Sequence, residues 1–170
     1  MRLNTRLALP AAALAGLLCL PAHAAGTVDV SFVSDPLEYT DAGRDRADAI
    51  RNEETLSRYL QSLGGRWLAD DQQLKVHVVD LNLAGRVDPT RRGPRGDLRV
   101  ALGSADIPVI HLRYTLSENG RVLAEGDETV SDPNYLRHAA DIHRDEPLHD
   151  EKRVLADWFK ARIVERKPAG

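Results

Sequence analysis

Apolar residues recur along this chain with two periods, and their order predicts the secondary structure. Val28, Val30 and Phe32 alternate with Asp29 and Ser31, which predicts a strand ended by Asp35-Pro36. From about Arg44 to Leu63, the residues Ala49, Leu56, Tyr59, Leu60 and Leu63 return at helical spacing. Gly64-Gly65 is expected to stop this helix, because the position after a helix often needs positive φ. A second strand is expected from Leu74 to about Leu83. A strand-helix-strand unit of this kind closes right-handed with its strands parallel.

The second strand changes phase. Val76 and Val78 alternate with Lys75 and His77, after which the apolar set moves to Val79, Leu81 and Leu83. A bulge at Val78-Val79 would restore one apolar face, and a central strand apolar on both sides would also explain the run. The other reading carries Asp80 and Asn82 onto a buried face near the carboxyl end of the strand, where α/β sheets place ligands. The structural explanations are preferred, since an unbonded buried polar group is costly.

Residues 84–97, "AGRVDPTRRGPRGD", are rich in Gly, Pro and Arg and are expected to form an exposed, mobile loop. Leu98 to Leu102 is expected to be a short edge strand. Ile107–Ser117 and Arg121–Val130 read as a hairpin around Asn119-Gly120. A three-residue loop, Glu118-Asn119-Gly120, would pair Leu116 with Val122, Tyr114 with Ala124 and Leu112 with Gly126. It would also set Arg113 against Glu125 and His111 against Asp127 as a solvated charge ladder. A last helix, roughly Leu148 to Val164, places Val154, Leu155, Trp158, Phe159, Arg162 and Ile163 on one side. Acids at its start and bases at its end suit the helix dipole. The expected fold is a single α+β domain with a mixed sheet of four to five strands and two helices on one face. The order is β-α-β-(β)-β-β-α.

The N-terminus changes the picture of where the chain works. Arg2 and Arg6, the apolar stretch Leu7–Leu20 and the small-x-small site Ala22-His23-Ala24 read as a cleavable export signal, residues 1–24. Cys19 invites a lipoprotein reading, but Leu18 before it is larger than lipoprotein processing accepts. Cleavage after Ala24 removes Cys19, the only cysteine, so the mature chain 25–170 has no thiol and relies on an ordinary core. Removing Arg2 and Arg6 from 23 basic residues leaves 21 against 26 acidic ones, so the formal charge moves from −3 to −5. That balance argues against nucleic-acid binding and for a soluble periplasmic protein. No second long apolar run predicts a membrane span in the mature chain.

Four blocks, "FVSDPLEYTD" (32–41), "VVDLNLAG" (78–85), "PVIHLRYTL…NGRVLAEGDETVSD" (108–132) and "EKRVLADWF" (151–159), occur in this order. Together they resemble the bacterial domain-of-unknown-function family 3016, over nearly all of the mature chain. The resemblance implies an exported protein of this size and transfers no catalytic residue. The stretch "RRGPR" (91–95) matches no motif of that family.

Candidate chemistry is sparse. G-x-S-x-G, H-E-x-x-H, the Walker loop and the Rossmann glycines are missing from the sequence. His138, Asp141, His143 and His149 are the only histidine-rich stretch and the one candidate metal set, for Zn²⁺ or Cu²⁺. Their spacings of five and six fit no i, i+4 pair, so solvated histidines are preferred. Arg86, Arg91, Arg92 and Arg95 are candidate anion or partner contacts, with Asp88 and Asp97 as internal counter-charges. No cofactor is expected. The leading expectation is a non-catalytic binding or accessory protein with an envelope protein or small molecule as partner. A metal-handling protein using the 138–149 histidines and a hydrolase with a site near Asp80 and Asn82 are the alternatives.

Overall fold

In the computed structural model, which describes residues 26–93, 96–100, 106–138 and 146–168, the first alternating stretch is β1 (Thr27–Phe32). Residues 1–24, read from the sequence as an export signal, lie outside the described residues. A single 3₁₀ turn, Pro36–Glu38, leads to α1 (Arg46–Trp67), whose N-cap Asp45 accepts a hydrogen bond from the Asp48 N–H. α1 does not stop at Gly64-Gly65. It runs to Trp67 and ends at extended Leu68. Packing explains the glycine: a methyl on Gly64 would collide with Val28 Cγ2 and touch Leu68 Cδ1 at 3.4 Å. The residue marks the close approach of helix to strand rather than a terminus.

β2 (Gln72–Asn82) lies between β1, to which it is parallel, and β5 (Val109–Glu118), to which it is antiparallel. Its pairing with β5 slips between Val78 and Asp80, so the change of phase is a bulge. The bulge keeps Leu74, Val76, Val78 and Leu81 buried on one face. With β6 (Arg121–Ser131) at the far edge, the sheet order is β1-β2-β5-β6.

Most of the described residues in 84–97 are strand rather than loop. They contribute β3 (Arg86–Gly93) and the start of β4 (Gly96–Val100), an antiparallel ribbon separate from the main sheet. Of the edge strand expected at Leu98–Leu102, residues 98–100 belong to this ribbon and 101–102 lie outside the described residues. Its register slips between Asp88 and Arg92, around Pro89, which has no N–H for a ladder bond. Asp88 Oδ1 accepts from both Thr90 N (2.9 Å) and Thr90 Oγ1 (2.6 Å) within the slip.

The β5–β6 hairpin corrects the expected register. Its turn has only two residues, Asn119 (φ 49°) and Gly120 (φ 80°), the I′-type geometry whose twist suits a hairpin. The extra residue is absorbed inside β6: Ser117 opposes Val122, but Leu116 opposes Ala124. Tyr114 therefore faces Gly126, and a Cβ there would stand 2.7 Å from Tyr114 Cε1. Glu128 faces Leu112 on the helix side, where Arg162 meets it at 2.8 Å. This acid beside the core is thus paired.

After a 3₁₀ turn at Tyr135–His138, α2 (His149–Trp158) continues as a π-helical segment, Phe159–Val164. Val154, Leu155, Trp158, Phe159 and Ile163 are buried as the periodicity requires. Trp158 packs edge-on against Tyr114 (5.4 Å between centroids) and Phe159 (6.2 Å). Both helices share one core with the sheet, giving the α+β architecture. Among the described residues, no helix is long and apolar enough to cross a membrane.

Candidate functional site

At the carboxyl end of β2 the chain turns away from the sheet into the ribbon, and charged residues from both ribbon strands, α2 and two connections meet there. Asp41, in the connection before α1, bridges Asn82 in parallel: its N–H donates to Leu81 O and its carbonyl accepts from Leu83 N, both at 2.9 Å. Arg99, from β4, grips the Asp41 carboxylate with two nitrogens, at 3.2 and 2.7 Å. The same guanidinium donates to the carbonyls of Leu83, Ala84 and Gly85 at 3.2, 3.0 and 2.8 Å. One arginine thus fixes the root of the ribbon to the end of the sheet. The forked geometry is what lysine lacks.

Glu151 closes this site from the first turn of α2. It is 3% exposed, and its Oε1 accepts from Ala84 N at 2.6 Å. Burial pushes its carboxyl above the ordinary value, and Asp150 adds to the rise. The Ala84 and Glu151 N–H groups and the Arg99 charge pull the other way without reversing it. Nearby, buried Asp106 receives Arg86 Nε at 2.7 Å, while its carbonyl accepts from Gly85 N, which sits at φ 73°. Arg99 and Glu151, with Leu83, Tyr135, Leu148 and His149, line a cleft of about 240 Å³. Leu148 holds φ 56° and ψ 39° on its wall, a left-handed conformation unusual for a bulky side chain.

The sequence candidates divide. Arg86 belongs to this site through Asp106. Arg91 pairs with Asp88 at 3.4 Å on the exposed ribbon. Arg92 lies in β3 with its side chain outside the described residues, and Arg95 is outside them altogether. His149 stands beside Arg153 at the start of α2, with 3.4 Å between Nε2 and Nη2. His138 ends its 3₁₀ turn, its side chain outside the described residues, where Asp141 and His143 also fall. Among the described residues, no three His, Asp or Glu side chains converge on a point that would hold a metal.

Asp80 has a structural partner: its two oxygens accept from Thr40 N and Thr40 Oγ1, each at 2.8 Å. It pins the strand-to-helix connection to β2. Asn82 is bridged through its backbone to Asp41. His111 and Asp127 do meet, diagonally rather than in register, and Arg113 Nε reaches the other Asp127 oxygen at 2.8 Å. Asp127 and Arg113 are more than half exposed, so this is a surface ladder. Hydrogen bonds from these two neighbours hold the Asp127 carboxyl below its ordinary value.

Sequence reasoning passed over Arg99, Asp41, Asp106 and Glu151. A signal existed for Glu151, which stands three, four and seven residues before Val154, Leu155 and Trp158, on the apolar stripe itself. It passed over one more contact, Ser31 Oγ against His77 Nδ1 at 3.0 Å on the solvent face of the sheet.

Comparison with known proteins adds little about activity. No curated protein matches the chain. A crystal structure of a Xanthomonas campestris protein of the DUF330 family aligns over 86% of this chain and 87% of that one. Identity is 16% and the TM-score is 0.32, a likeness too slight to argue from. Residues 26–161 match the family described as Protein of unknown function (DUF3016), and by that match, over most of its length, the chain belongs to this family.

Proposed function

We propose that this chain is an exported, periplasmic protein that works by binding, without catalysis of its own. Export rests on the succession of Arg2, Arg6, the apolar Leu7–Leu20 and Ala22-His23-Ala24. Binding rests on one observation: the charged groups at the carboxyl end of β2 already engage one another. Arg99 is held by Asp41 and three carbonyls, Asp106 by Arg86, and Glu151 by Ala84. A general base needs a lone pair presented to substrate. Here the carboxylates serve as struts that hold the cleft and the ribbon in shape, which suits recognition by a preformed surface.

The test is recovery of the tagged mature protein from periplasm, with the eluate analysed for proteins and small molecules and the intact mass measured. A stable stoichiometric partner and a mass beginning at Ala25 are expected. A mass retaining Met1, or a lipid on Cys19, overturns cleavage after Ala24, and absence of the chain from periplasm overturns export. Steady conversion of a periplasmic molecule by the purified chain, with no stoichiometric partner recovered, overturns the binding assignment.

A further inference from the structure

β6 ends the sheet, so one row of its backbone N–H and C=O groups has no strand beside it among the described residues. Such an edge is a template for any extended chain, and proteins that do not use it blunt it. Here the bulge at Leu123 disturbs only the hairpin end, leaving Ala124–Ser131 regular, and the charges of Glu125, Asp127 and Glu128 guard the edge against neutral and acidic strands but not against a basic one. Along the helix side of this stretch runs a groove of about 440 Å³ between β6 and α2, continued by a second of about 270 Å³. The floor of the larger part includes Val130, Val154 and Trp158. The Trp158 Nε1–H is buried without an acceptor among the described residues. A strand edge flanked by a groove that can take alternate side chains is the geometry of strand addition.

Charge selects the occupant. The larger groove is lined by Glu128, Asp132 and Asp157 against the single base Arg162, which Glu128 already holds. The smaller adds Glu125 and Asp127 against Arg166 and Lys167, so acids still outnumber bases along the edge. A second copy fits poorly, because antiparallel self-pairing about Gly126 would set Glu125 against Asp127 twice. We infer that the β6 edge and its groove bind an extended, basic segment of another protein as an added strand. This rests on the binding reading above and names its site and the chemistry of its partner.

The test uses the mature chain carrying Trp67→Phe, which removes the exposed indole at the end of α1 and leaves Trp158 as reporter. The probes are a capped peptide of alternating lysine and valine, its glutamate–valine counterpart, and the lysine peptide N-methylated along one edge. The lysine peptide should shift Trp158 emission saturably and slow hydrogen exchange of the Ala124–Ser131 amides. The other two peptides, and the Asp157→Lys variant with the lysine peptide, should bind about tenfold more weakly or worse. Equal binding of the N-methylated peptide, insensitivity to Asp157→Lys, protection elsewhere in the chain, or no saturable change overturns the assignment. A partner recovered from periplasm that still binds the Asp157→Lys variant overturns the edge site alone and leaves the binding function standing.

Discussion

Gly64→Ala and Gly65→Ala make the same chemical change at neighbouring residues of α1, yet they should move stability in opposite directions. Replacing a helical glycine by alanine gains roughly 1 kcal/mol from backbone entropy and propensity. At Gly65 nothing lies within 4 Å of the added methyl, so the whole gain should appear. A rise in melting temperature of roughly 3 °C follows for a domain of this size. At Gly64 the methyl runs into Val28 Cγ2, and Val28 is β-branched, stiff at χ1 and set in a paired strand. Overpacking of this kind costs roughly 1–3 kcal/mol. Because the collision is deep and its partner stiff, the upper half of that range applies, for a net loss of about 1–2 kcal/mol. Urea unfolding of the mature chain, followed by far-ultraviolet circular dichroism, measures both. In a Val28→Ala background the overpacking penalty at Gly64 should largely vanish while the helix-propensity gain remains, a coupling of about 2–3 kcal/mol. Stabilisation by Gly64→Ala equal to that by Gly65→Ala would refute the close packing of α1 on β1 at this residue.

Glu151→Gln keeps an oxygen for Ala84 N–H and removes the buried charge. The folded carboxyl titrates above its ordinary value, so its favourable contribution is full below that value and is lost as pH rises through the folded one. The variant should therefore gain on the native chain with rising pH and lose the advantage in acid, and a gap that stays flat across pH would contradict this. Arg99→Met should cost about 2–3 kcal/mol, because it strands Asp41 and three carbonyls at the ribbon root. Denaturant midpoints would show it, and a neutral result would mean that water replaces the guanidinium. Trp158→Ala removes a side chain only 4% exposed and should cost about 3–5 kcal/mol, with loss of the Tyr114 and Phe159 ring contacts. Arg91→Glu with Arg92→Glu should change stability by less than about 0.5 kcal/mol in a thermal melt. A larger loss would make the ribbon arginines structural.

Periodicity alone determined most of the elements, because burying one face of a strand or helix forces a repeat that local sequence must display. β1, β2 with its bulge, the β5–β6 hairpin and the apolar stripe of α2 are legible for that reason, as is the α+β order. Pairing partners are a different matter. The same Gly and Pro that suggest a loop at 84–97 also permit an irregular ribbon, and only cross-strand contacts distinguish the two. The hairpin register is not legible in the sequence, because a one-residue bulge fits equally well in the turn or inside β6, and the tertiary setting of Tyr114 over Gly126 and Arg162 on Glu128 decides between them. Gly64 carries no mark of whether it ends a helix or admits Val28. Arg99 lies 58 residues from Asp41, and Glu151 lies 67 from Ala84. Such bonds exist because folding expels water from the carboxyl end of β2, and every polar group caught there must then find a partner in the chain.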